Sequence, residues 1–153
     1  MKLTLPPSSD GGRLPIMRRA LCSATPAEVR MTIGSRVWAI AEGYIPSGST
    51  GPEPAMTSHE TACLLNAGER DAEVRITLFF ADRDPAGPYE VTVPARRTLH
   101  LRFNDLKDPE PVPFDTDYAS IFESTEPIVV QHTRLDSRQA ENALLSTIAF
   151  PAG

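Results

Sequence analysis

The nine residues EVRITLFFA, Glu73 to Ala81, decide how this chain folds. Val74, Ile76, Leu78 and Phe80 fall on one side of an extended backbone, while Arg75, Thr77 and Phe79 fall on the other. That period of two is the signature of a strand with one face on a core. Phe79 is then left as an exposed or interface aromatic. A helix over the same residues would scatter the apolar set around its circumference.

Working outward, similar runs recur at short spacing. RVWAIA (36–41) and HETACLLN (59–66) precede it, and YEVTVP (89–94), RTLHLRF (97–103), YASIFES (118–124), PIVVQHTRLD (127–136) and ALLSTIAF (143–150) follow. The chain carries fifteen Pro and nine Gly, many of them between these runs. Eight strands separated by turn signals predict an all-β chain, an eight-stranded antiparallel β-sandwich or jelly roll. LNAGERDAE reads as a hairpin-type connection and PARRT as a second reversal. Ser137 is placed to cap a short helical segment reaching Glu141.

The first thirty residues lack either periodicity and are rich in Pro, Ser, Gly and Arg. They are expected to be a disordered or dispensable extension, with Met31 as an alternative start and residues 31–153 as the folded domain. They carry +3, against −8 for the remainder. An acidic body disfavours general nucleic-acid binding. No apolar run approaches the roughly 20 residues a membrane helix needs, and no uninterrupted segment of signal-peptide length opens the chain. Two cysteines, Cys22 and Cys63, form no CxxC pair or framework, which suits a reducing cytoplasm with Cys63 as a small core residue.

Chemistry concentrates in PIVVQHTRLDSRQAENALLSTIAF, Pro127 to Phe150. Alternation puts Ile128, Val130, His132, Arg134 and Asp136 on one face, so the strand turns from apolar to polar partway along. Such a polar half either forms a structural or interface cluster or lines a ligand site. The connection from Glu42 to Glu60 is long enough to be functional or disordered, and Tyr44, Glu53, His59 and Glu60 lie in it. NDLKDPEPVPFDTD (104–117) reads as a solvated acidic loop without the ligand spacing of an EF-hand. His59, His100 and His132 are scattered, SHET lacks the second histidine of HExxH, and no GxSxG, GxxxxGK[ST] or GxGxxG pattern occurs. No metal, cofactor or catalytic residue is therefore expected. Arg96, Arg97, His100 and Arg102 form a basic patch that is either a solvated face or a partner-facing contact for anionic groups.

WAIAEGYIP (38–46), GPEP (51–54), SHET (58–61), LNAG (65–68), VPARRT (93–98), RFNDL (102–106) and the 127–150 stretch together resemble the sensory rhodopsin transducer family, over about Gly34 to Phe150. The resemblance implies a soluble cytoplasmic β-sandwich that forms a homotetramer and relays a signal from a seven-helix sensory rhodopsin or other membrane receptor, without enzymatic activity. It leaves open a small-molecule or carbohydrate sensor, and DNA contact, which the charge disfavours. Carried over by motif, the ligand-binding or interface positions are Trp38, Glu42, Tyr44, His59, Glu60, His132, Arg134, Asp136 and Arg138.

Overall fold

The computed structural model describes residues 32–152; the expected N-terminal extension and Cys22 lie outside them. Eight strands follow in chain order: β1 (Ser35–Gly43), β2 (His59–Asn66), β3 (Ala72–Phe80), β4 (Ala86–Val93), β5 (Arg97–Arg102), β6 (Tyr118–Asp136), β7 (Ala143–Ile148) and β8 (Phe150–Ala152). A single 3-10 turn, Phe103–Asp105, follows β5. All pairings are antiparallel.

The strands form two pairing groups that share β6. One runs β4-β3-β6-β1-β8; in the other β5 pairs β2, β2 pairs β6, and β6 pairs β7. Through Ser124, β6 pairs β3, and from Val129 onward it pairs β2. The sequence suggests two strands, broken near Pro127, where the structure has one of 19 residues. Pro127 lies in the stretch where β6 has left β3 and not yet met β2, so its missing N–H costs no ladder bond on that side. The last expected strand is divided instead. Ala149, buried, donates its N–H to Val130 O at 3.0 Å, and the chain steps there from pairing β6 to pairing β1.

Two further expectations are corrected. LNAGERDAE is not a hairpin: β2 and β3 belong to different pairing groups, and Asn66 braces the crossover by donating to Arg70 O and Val93 O. Residues 138–141 form bends rather than a helix, and the buried Ser137 hydroxyl donates to Met56 O instead of capping. Cys63 is half-buried and sits between His100 and Gln131 rather than in the core, and burial pushes its thiol pKa up.

β3 behaves as its alternation requires, with Val74, Ile76 and Leu78 buried and Phe79 39% exposed. They pack with Phe122, Ile128 and Val130 of β6 and Leu64 of β2 in one core. At one end of that core Phe103 stacks edge-on to Phe122, ring centroids 6.3 Å apart, and lies 5.7 Å from the Tyr118 ring. Tyr118 of this cluster is near enough to the polar site described next for the charges of Glu60 and Arg134 to act on its phenol.

Candidate functional site

Strand pairing places Glu60 of β2 directly across from Arg134 of β6 and Ala62 across from His132. The period of two turns Glu60, His132 and Arg134 to the inner side, where Glu60 and His132 are 1% and 2% exposed. Arg134 Nε donates to Glu60 Oε1 at 2.5 Å, and His132 Nε2 bonds Glu60 Oε2. A carboxylate only accepts, so Nε2 is the protonated ring nitrogen. The Tyr44 amide also donates to Glu60 Oε1, at 3.0 Å. From the other side, Arg134 Nη1 donates to Glu42 Oε1 at 2.7 Å, and Glu42 is 67% exposed. A line of charged groups thus runs from the interior at Glu60 to the surface at Glu42, joining β2, β6 and the end of β1. Burial opposes the charge of Arg134, but the hydrogen bonds and charges of Glu60 and Glu42 outweigh it and raise its pKa.

The connection from Glu42 to Glu60 is held by specific bonds. Thr50 donates both its amide and its hydroxyl to Ser137 O, at 2.6 and 2.7 Å. Ser58 Oγ donates to Gly48 O at 2.7 Å and receives the Ser137 amide at 3.0 Å. Asn104 ties the acidic loop in by donating to Ser58 O at 3.1 Å. Tyr44 donates its hydroxyl to Asp115 Oδ1 at 3.0 Å, which raises the phenol pKa. Hydrogen bonds from Ser47 hold the Asp115 carboxyl below the usual range. Arg138 stands 5.8 Å from the Tyr44 ring centroid and makes a bidentate bond to Asp136, whose pKa it lowers.

Of the residues the sequence singled out, Glu42, Tyr44, Glu60, His132, Arg134, Asp136 and Arg138 meet at this end of the sandwich. Trp38 and His59 do not join them. Trp38 is buried toward the other end of β1, its indole N–H donating to Ile128 O at 2.8 Å. His59 points to the face opposite Glu60 and bonds Thr57 O at 2.7 Å. Arg97, His100 and Arg102 lie on β5, with Arg96 in the turn before it at φ of 58°; β5 pairs β2 alone and so presents a free edge. Among the described residues no group of three or more His, Cys, Asp or Glu is arranged to hold a metal ion.

Sequence reasoning missed Tyr118, Asn104 and Asp115. Tyr118 opens β6 as one more aromatic in a strand, and nothing in its spacing separates it from core. Its hydroxyl is buried without a partner, as is Arg134 Nη2. Burial, and then the Glu60 charge, push the Tyr118 phenol pKa far above the usual value. Asp115, with φ of 53°, holds a left-handed backbone that Asp tolerates better than most residues.

The chain matches the family model described as Anabaena sensory rhodopsin transducer over residues 33–151. Among solved structures, the Anabaena sensory rhodopsin transducer is 60% identical, covering 67% of this chain and all of that one, with a TM-score of 0.60. The Thermotoga maritima 1070 crystal structure is 35% identical, covering 78% of this chain and 96% of that one, with a TM-score of 0.70. No protein with a curated description matches. The chain belongs to the sensory rhodopsin transducer family.

Proposed function

We propose that the protein is a non-enzymatic cytoplasmic relay that couples a membrane receptor of the seven-helix kind to a downstream partner. The observation that carries this reading is the line Glu42–Arg134–Glu60–His132, which ties a surface carboxylate to a buried one through a single arginine. A contact that engages Glu42 at the surface changes what Arg134 must neutralise inside, and Glu60 lies in the strand that links β6 to β5. The working assembly is a homotetramer. Every residue of β7 is exposed, Leu144 and Ile148 at 71% and 62%, and β7 pairs β6 alone. An apolar free edge of that kind is covered in a stable protein, and antiparallel pairing with a second copy about a two-fold axis covers it. The basic positions Arg96, Arg97, His100 and Arg102 discourage strand pairing along β5 and offer donors to an anionic partner.

Expression with a tagged copy in the source cell, followed by membrane extraction, tests the relay: a seven-helix protein retained by the wild type and lost in Glu42→Ala supports it, and retention of soluble proteins alone counts against it. Leu144→Lys with Ile148→Lys is expected to yield a folded species of lower mass in sedimentation.

A second reading, a sensor of a carbohydrate or other small polar molecule, is favoured by the unpartnered Tyr118 hydroxyl and Arg134 Nη2, with Tyr44 as a stacking surface nearby. A thermal-shift screen of sugars decides it. A ligand at a hundred times its dissociation constant adds about 2.7 kcal/mol. A shift lost in Tyr118→Phe supports the sensor, and a flat panel refutes it.

A further inference from the structure

We propose that the outer face of β4-β3-β6-β1 is a docking surface for a partner segment carrying two basic side chains, with Glu42 as its point of contact with the buried cluster. This inference rests on the relay reading and gives it a face.

The middle of that face is apolar and shallow. Cross-strand pairing lines up Ala39, Ile121 and Thr77 in one row and Phe79 with Ala119 in the next, all outside the core. Each end holds a depression. The first, about 430 Å³, is lined by Glu73, Glu90 and Glu123 together with Arg75. The second, about 250 Å³, has walls of Phe79, Ala41, Ala81 and Ala119, with Glu42 and Asp117 also lining it. Arg75 is the single cation among the residues lining the two, and it lies 4.0 Å from Glu90. With Arg134 counted against Glu42, five carboxylates stand against two guanidiniums, so the face is net negative, while its floor suits the aliphatic stem of a lysine or arginine. Phe79 adds an exposed ring over which a cation is attracted.

The spacing of the ends defines the occupant. The row of Arg75 and Glu123 lies four residues from the row of Phe79 and Ala119, a separation of about 13 Å along a strand. Two basic residues four apart in an extended segment span that distance. Short loops on the cytoplasmic side of membrane proteins are enriched in Lys and Arg, so the face has the charge that a receptor's loops require. Glu42 belongs both to the second depression and to the 2.7 Å pair with Arg134. A partner cation seated there competes with Arg134 for it, and the contact is passed inward.

The test uses the full chain and a synthetic extended peptide with two lysines four residues apart among leucine and serine, titrated by calorimetry at low salt. Binding is expected to weaken at least tenfold in Glu90→Gln/Glu123→Gln and in Glu42→Gln/Asp117→Asn, and to fall as salt rises. It is expected to hold in Asp108→Asn/Glu110→Gln, which removes the same charge from the acidic loop. Equal weakening in all three double variants, or no binding by the wild type, overturns the proposal. A peptide that fails while a membrane receptor is still retained refutes the face and leaves the relay standing. Peptide binding with no receptor retained refutes the relay and leaves the face.

Discussion

Replacing Glu60 by Gln is the sharpest perturbation of the site, because shape is nearly kept while the charge goes. The Glu60 oxygens accept from three donors, Arg134 Nε, His132 Nε2 and the Tyr44 amide. A glutamine keeps one accepting oxygen for Arg134 Nε and the Tyr44 amide, but its nitrogen turns toward His132 Nε2, which must then accept rather than donate, and the Arg134 guanidinium loses its buried counter-charge. The side chains concerned are 1%, 2% and 17% exposed for Glu60, His132 and Arg134, too little for water to replace the lost acceptor. Removing one partner of a buried ion pair costs about 3–5 kcal/mol. At about 4 °C per kcal/mol for a domain of this size, the calorimetric midpoint falls by about 12–20 °C. Glu42→Ala, which removes the exposed end of the same line, costs less than about 1 kcal/mol. Restoring apolar consistency in Glu60→Leu/His132→Phe/Arg134→Met is expected to recover much of the loss while abolishing any coupling to Glu42. A loss below about 1 kcal/mol for Glu60→Gln in urea unfolding would refute the argument, since the carboxylate would then be no better placed than a surface one.

Gly34 has φ of +100°, and a Cβ there would stand 2.1 Å from Ile128 O. Gly34→Ala is therefore expected to cost at least about 1–3 kcal/mol, read by chemical denaturation, and an unchanged midpoint would contradict the close approach of β1 to β6. Tyr118→Phe removes a buried hydroxyl without a partner, so stability is expected to hold or rise; a loss above about 1 kcal/mol would mean that the hydroxyl is satisfied in solution. Asp115 and Asp136 both have folded pKa values below the unfolded value of 3.8. Their contribution is present above that pH and is lost as pH falls through the folded values. The stability profile below about pH 4 should flatten in Asp115→Asn and in Asp136→Asn, and an unaltered acid limb in both would show that neither bond matters to folding.

Period-two alternation was enough to read β3, β2 and the polar half of β6, because strand geometry fixes the face of each side chain once pairing exists. The face assignment of His132 and Arg134 was legible for that reason, and Glu60 entered through the SHET motif. Partition of the strands was not. Pro127 is a strand breaker in isolation, and only the transfer of β6 between partners makes its missing donor harmless. The turn at LNAG carries hairpin residues, yet no local signal distinguishes a hairpin from a crossover when the partner strands lie elsewhere in the chain. Asp115 reaches the site through bonds to Tyr44 and Ser47 across 71 and 68 positions of sequence, and Ser58 bonds Ser137 across 79, separations that residue spacing cannot encode. Trp38 was drawn toward the site by its motif and lies in the core because its neighbours Ile40 and Phe122 face inward with it.

The polar half of β6 begins where the strand changes partners, and the coincidence has a physical reason. Before Ser124 the inner face of β6 is covered by strands on both sides and filled with Tyr118, Ser120 and Phe122, so a charge there would be buried without relief. Beyond Val129 the strand enters the group with β2 and β7, and β7 leaves its own residues open to solvent. Arg134 can then keep Glu42 in water while its Nε reaches the buried Glu60. A fully buried carboxylate is tolerable at that end because Arg134 links it to the surface. The seam between the two groups is also the place where a change in one of them is felt by the other, since β6 alone belongs to both. A relay that must pass a surface contact through a rigid sandwich has its natural position at this seam.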